Sequence, residues 1–184
     1  LGHSYVYLIA SRLGVDMPEA KLECFNRGHS GNRITDLKSR WQKDVIDMKP
    51  DLLSILVGVN DRKVKKGQTF LSDQWESDYR EILTKSRQAN EKLRIVLLDP
   101  FVLKSGWWMN KGGEWNISRA QINKMGKIVS QLARDFNAIH IKTQEVFDAA
   151  AKLAGPEQWI WDGVHPLPQG HELIARNWLE QVSA

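Results

Sequence analysis

Near the end of the chain an aspartate stands three residues before a histidine, in Trp161-Asp162-Gly163-Val164-His165-Pro166. At that spacing the carboxylate can curl back and accept the imidazole Nδ1–H. This fixes the tautomer and leaves Nε2 facing outward as a general base. Alone, the pattern is weak and more often marks ordinary loop structure. Two other segments invite a chemical reading: Asn26-Arg27-Gly28-His29-Ser30-Gly31-Asn32 and Gly58-Val59-Asn60-Asp61. Both are rich in Gly and Asn, which suits tight turns with exposed backbone N–H groups. Gly31 alone says only that the backbone can take an unusual conformation there, and Asn60 alone is also turn chemistry. Their meaning depends on the elements that position them.

Four short apolar runs read as buried strands: Leu22–Asn26, Leu52–Val57, Arg94–Leu98 and Ala138–Ile141. Helical periodicity fills the intervals. Ile34, Leu37, Trp41, Val45 and Met48 recur at spacings of three and four, as do Trp75, Tyr79, Ile82 and Leu83. Ile122, Met125, Val129, Leu132 and Phe136 form a third stripe, behind an expected capping box of Ser118 and Gln121. A last helix carries Ile174, Trp178 and Val182, with Pro168 near its start. Strands alternating with helices predict a parallel sheet covered on both faces, with ligands beyond the carboxyl ends of the strands. The Gly/Asn segments follow the first and second of these strands, at that end.

Composition narrows the class. The 184 residues are 42% hydrophobic and 26% charged, ordinary for one globular domain and too apolar for disorder. No apolar run approaches the roughly 18 residues of a membrane helix. The 26 Lys and Arg exceed the 22 Asp and Glu, for a net charge of +4, but they are scattered among acids rather than gathered in a stripe. That argues against nucleic acid as a partner. The one cysteine, Cys24, excludes an internal disulfide and a cysteine-based zinc site, and reads as an inert thiol buried in a strand. No His and carboxylate cluster has metal-ligand spacing, so neither metal nor cofactor is expected.

Taken together, Asn-Arg-Gly-x-Ser-Gly, Gly-x-Asn-Asp and Asp-Gly-x-His-Pro, in this order and over almost the whole chain, resemble the SGNH hydrolases, the GDSL esterase/lipase family. The resemblance implies a flavodoxin-like three-layer α/β/α fold with a parallel sheet. It implies that His165 is general base and then acid, that Asp162 orients it, and that the Gly31 N–H and the Asn60 amide form the oxyanion hole. The implied reaction is hydrolysis of small acyl esters, acetyl groups on carbohydrates among them, through an acyl-enzyme. An Asn amide suits the oxyanion task because it donates an N–H without adding a permanent charge. The alternative is a non-catalytic relative that binds a carbohydrate or acyl ligand in the same crevice.

One block of that family is not found. Its Gly-Asp-Ser, which carries the nucleophile at the end of the first strand, has no counterpart among the serines. Ser4 follows Gly-His with no strand before it, and Ser30 sits beside Gly31. The expectation is therefore a single domain over 1–184 whose first strand and nucleophilic serine lie upstream of residue 1. That strand would be central, between Leu22–Asn26 and Leu52–Val57, and without it both would expose unpaired edges.

Five of the eight tryptophans fall in two short stretches. Trp107, Trp108 and Trp115 lie in a Gly-rich segment that reads as a lid or binding loop, and Trp159 and Trp161 precede Asp162. Trp107, Trp108 and Trp161 are candidates for a flat apolar wall beside the site, although the loop aromatics could equally cover the end of the sheet. Asp61 is expected to brace the Asn60 turn by accepting backbone N–H bonds. Arg27 and Arg33 read as surface or salt-bridged residues, and His29, His140 and His171 as structural or surface residues without matched partners.

Overall fold

The computed structural model describes residues 1–65, 67–110 and 112–182. Among these residues, three strands form one parallel sheet in the order β1-β2-β3: β1 Leu52–Leu56, β2 Arg94–Leu98 and β3 Ile139–Ile141. The described residues also form six α-helices packed around it: α1 Tyr5–Asp16, α2 Ile34–Trp41, α3 Ser72–Ala89, α4 Gly112–Asp135, α5 Thr143–Leu153 and α6 Pro168–Val182.

Side-chain alternation in β2 decides which helices cover which face. Ile95 and Leu97 point into a cluster with Ile34 and Trp41 of α2, Ile82 of α3 and Met125 of α4. Val96 and Leu98, displaced by one residue, point into a second cluster with Ile9 of α1, Phe147 of α5 and Ile174 of α6. All four are at most 2% exposed, as befits a central strand covered on both sides. The architecture is α/β, a parallel sheet with helices on both sides.

The helical stripes fall where their periodicity puts them. Trp75, Tyr79, Ile82 and Leu83 are all buried on α3, and Ile174, Trp178 and Val182 on α6. The α2 stripe continues past Trp41 through one π turn, Gln42–Ile46, which keeps Val45 in the core. The expected capping box on α4 is not there. That helix begins six residues earlier, at Gly112, so Ser118 is fully buried in its interior and Gln121 instead bonds the Lys63 N–H (2.8 Å) and C=O (3.0 Å).

Leu22–Asn26 is also corrected. It is irregular and largely exposed, with Leu22 48% and Phe25 61% accessible, and Cys24 is half-buried rather than enclosed in a strand. A strand needs a partner for its backbone, and among the described residues no backbone hydrogen bond reaches this segment's side of β1. Between the segment and the open edge of β1 runs a groove of about 1330 Å³. Ile9, Leu13 and Trp178 line one flank, and Leu37, Trp41 and Val45 the other.

Candidate active site

The carboxyl ends of β1 and β2, the segment before α2 and the segment before α6 meet at one end of this groove. Gly31, Asn60 and His165, expected from sequence to act together, all line it.

Asp162 and His165 make the anticipated local contact. Asp162 Oδ2 lies 2.6 Å from His165 Nδ1, while Oδ1 accepts the backbone N–H groups of His165 (2.8 Å) and Val164 (3.0 Å). The turn is possible because Gly163 adopts φ +94°. Burial alone would raise the Asp162 carboxyl. The bonds from the His165 side chain, its backbone and Val164 outweigh burial and hold the group below the usual carboxylate range. The carboxylate therefore stays ionised at neutral pH, as a partner for an imidazolium must. The His165 side chain is 63% exposed and the Asp162 side chain 16%, so the imidazole is open while its carboxylate partner is sheltered.

Asn60 is tied to the residue that follows Gly31. Asn60 Nδ2 donates to the Asn32 carbonyl at 3.1 Å, which holds one amide proton and leaves the other to point elsewhere. Gly31 adopts φ +80° with nothing within 4 Å of where a Cβ would sit, so backbone conformation, not space, calls for glycine. The Arg40 guanidinium grips Asn32 Oδ1 from Nη2 (2.9 Å) and Nε (3.2 Å).

Asp61 does what the turn chemistry suggested. Buried at 8% exposure, it accepts the Ile34 N–H on both oxygens at 3.3 Å and so ties the Asn60 turn to the start of α2. Burial pushes its carboxyl up to about 6, against the nearby Trp75 indole N–H, the Ile34 N–H and the charges of Arg33 and Lys63. Between the ordinary carboxylate range and about 6 the native chain holds a proton that the unfolded chain has released, so this group's contribution to stability falls as pH rises across that window. Asp61→Asn removes the slope. The stability advantage of wild type over the variant is expected to shrink by up to roughly 3 kcal/mol between pH 4 and pH 7. Urea unfolding at the two pH values measures it, and a difference independent of pH would mean the carboxyl titrates normally.

The tryptophans divide. Trp161 is 60% exposed and stacks on the His165 ring at 6.2 Å and 23°. Trp108, expected in a wall facing ligand, is 1% exposed and packs beneath Gly163. The side chain of Trp107 lies outside the described residues. Nor is the Gly-rich segment a free lid around Trp108. It forms a five-residue 3-10 helix, Gly106–Asn110, pinned by the Ser105 Oγ bond to the Ile160 carbonyl (2.6 Å) and by Gly106 against the Trp161 backbone. Apolar bulk next to a glycine-rich stretch signals burial as readily as a ligand wall.

Sequence reasoning missed a second aspartate–histidine pair. Asp99, at the end of β2, meets His140 Nε2 of β3 at 2.7 Å and is 6% exposed. The two are far apart in sequence, so only parallel strand pairing reveals them. His171 also has a partner, accepting the Tyr5 N–H at 3.3 Å. Arg27 is exposed with its Nε toward Met48 Sδ, and the Arg33 backbone N–H donates to Asp36 at 2.8 Å.

A parallel sheet carrying a histidine–carboxylate pair and amide donors at its carboxyl end defines a class of hydrolase, and the sequence places the chain within it. The profile of the GDSL-like lipase/acylhydrolase family matches residues 1–173, and the chain belongs to that family, whose members are carboxylic ester hydrolases. An acetylxylan esterase of Geobacillus stearothermophilus is 32% identical over 189 residues, covering 99% of this chain and 82% of that protein. A crystal structure of an acetylxylan esterase from Geobacillus stearothermophilus superposes with a TM-score of 0.83 at 30% identity, covering 98% of this chain and 81% of the other. A GDSL-like protein of Parabacteroides merdae superposes with a TM-score of 0.88 at 33% identity, covering 97% and 81%. Crystal structures of catalytic mutants of the Geobacillus enzyme carry replacements of a serine, an aspartate and a histidine. No helix among the described residues is long and apolar enough to cross a membrane.

Proposed function

We propose that this chain is a serine esterase that removes acetyl groups from carbohydrates, with His165 as general base, Asp162 as its orienter, and Asn60 and the Gly31 N–H as oxyanion donors. The observation that carries this reading is the convergence of Gly31, Asn60 and a bonded Asp162–His165 pair at one end of one groove. The similarity to an acetylxylan esterase over the length of the chain supports the substrate class.

Among the described residues, no serine occupies the position such a site requires. We propose that the nucleophile is borne by a strand seated in the groove, paired with the open edge of β1. A strand there would cover apolar flanks on both sides, supply the backbone partners that Leu22–Asn26 lacks, and end beside His165. In the first step the serine Oγ attacks the acetyl carbonyl as His165 Nε2 takes its proton. The developing oxyanion is held by the Gly31 N–H and the free Asn60 amide proton. The tetrahedral species collapses, His165 returns the proton to the departing sugar hydroxyl, and the acetyl group stays on serine. Water then attacks the acyl-enzyme with His165 again as base, releasing acetate. Trp161, exposed beside His165, offers an indole face to the sugar ring.

The test is an intact-mass spectrum of the natural gene product before and after a fluorophosphonate probe, with acetate release from acetylated xylo-oligosaccharides measured in parallel. One adduct on one serine, together with acetate release, is expected. No adduct and no acetate would overturn catalysis, and saturable binding of the same oligosaccharides would then define a binding module.

A further inference from the structure

Two residues beyond Asn60, Arg62 turns away from the groove and runs beneath the catalytic loop. Its Nε donates to the Val59 carbonyl at 2.6 Å, inside the turn that presents Asn60, and its Nη1 donates to Ser118 Oγ at 2.5 Å. The guanidinium carbon lies 5.5 Å from the centre of the Trp108 ring. Trp108 in turn presses edge-on against Gly163, so closely that a Cβ there would collide with the indole. On its other side Trp108 meets Trp115 edge to face at 6.1 Å. Gly163 sits directly after Asp162 and is anchored by its carbonyl, which accepts the Leu103 N–H at 3.1 Å. A continuous stack therefore runs from the Asn60 turn through a guanidinium and an indole to the loop that holds Asp162 and His165.

We propose that Arg62 and Trp108 form a strut that sets the spacing between the oxyanion donor Asn60 and the Asp162–His165 pair, making Arg62 a positioning residue for the esterase. The inference rests on the esterase reading above. Neither residue touches substrate. Their effect is on the relative placement of groups that must converge on one carbonyl, where a misplacement of about 1 Å can cost 100-fold in rate. The chemistry calls for arginine in particular. Only a planar guanidinium can lie on an indole face while its edge donates to a carbonyl and a hydroxyl, whereas lysine's point charge on a flexible stem cannot do all three. Burial lowers the Arg62 guanidinium to about 10, opposed by the attraction of Asp162, so it is charged at neutral pH. The strut also explains why Trp108 is buried beside the site rather than displayed in it.

The test uses the full-length protein carrying Arg62→Met, Arg62→Lys, Trp108→Leu, or Arg62→Met together with Trp108→Leu. Arg62→Met is expected to lower kcat by about 100-fold with KM within about twofold, and Arg62→Lys by about tenfold. The double variant is expected to be little worse than the poorer single variant, because both cut the same strut. Thermal midpoints identify any variant that fails to fold. If Arg62→Met does, Arg62→Lys carries the test. A kcat within twofold of wild type in the folded arginine variants, a loss confined to KM, or losses that multiply in the double variant would overturn the strut. Should wild type hydrolyse no ester, the esterase reading fails separately, and the strut is read from the low-field proton resonance of His165 Nδ1–H. Loss of that signal in Arg62→Lys supports the strut, and an unchanged signal overturns it.

Discussion

His165→Ala is expected to lower kcat by about 10⁴–10⁶-fold while the protein stays folded. The size follows from the double duty proposed for His165, in which the same Nε2 takes the nucleophile's proton and later returns it to the leaving group. The folded state should survive because the imidazole is 63% exposed and little packing depends on it. Asp162 would lose one bond and keep two, since both backbone N–H donors remain when the side chain is cut back to alanine. Kinetics on an aryl acetate, with a thermal midpoint beside them, measure both halves of the expectation. Activity near wild type would take the base's role away from His165, and a collapsed midpoint would make the histidine structural.

Asn60→Ala is expected to lower kcat by about 10²–10³-fold with KM nearly unchanged. One amide proton of Asn60 is committed to the Asn32 carbonyl, which orients the side chain, and the other is available to the oxyanion. A neutral carbonyl draws weakly on that donor and a tetrahedral oxyanion strongly. The interaction is therefore realised in the transition state and shows in kcat. A loss that appears only in KM would make Asn60 a ground-state substrate contact and remove it from the oxyanion hole.

How much of this could be read from the residues depends on how local the information is. The Asp162–His165 bond is a contact across three positions, fixed by one glycine turn, and four letters suffice to specify it. The α3 and α6 faces are equally legible, because a spacing of three and four leaves one buried stripe. Leu22–Asn26 misled because composition reports strand propensity, whereas a strand exists only with a hydrogen-bonded neighbour. The α4 start misled because Ser118 and Gln121 have capping-box spacing but spend their side chains on Arg62 and Lys63, which are distant in sequence. Asp99–His140 and Arg62–Trp108 were invisible for the same reason: the fold, not the order of letters, makes them neighbours. The local contacts of the proposed site were thus readable and its scaffolding was not.

The stacking of Trp161 on His165 also gives the molecule an optical property. An imidazolium quenches a neighbouring indole more strongly than a neutral imidazole does, and at 60% exposure Trp161 emits further to the red than a buried ring such as Trp108. Emission collected at the long-wavelength side of the band therefore favours Trp161, the indole stacked on the His165 ring. The long-wavelength emission of a resting sample thus reports on the surroundings of the His165 ring, with no substrate added and no label attached.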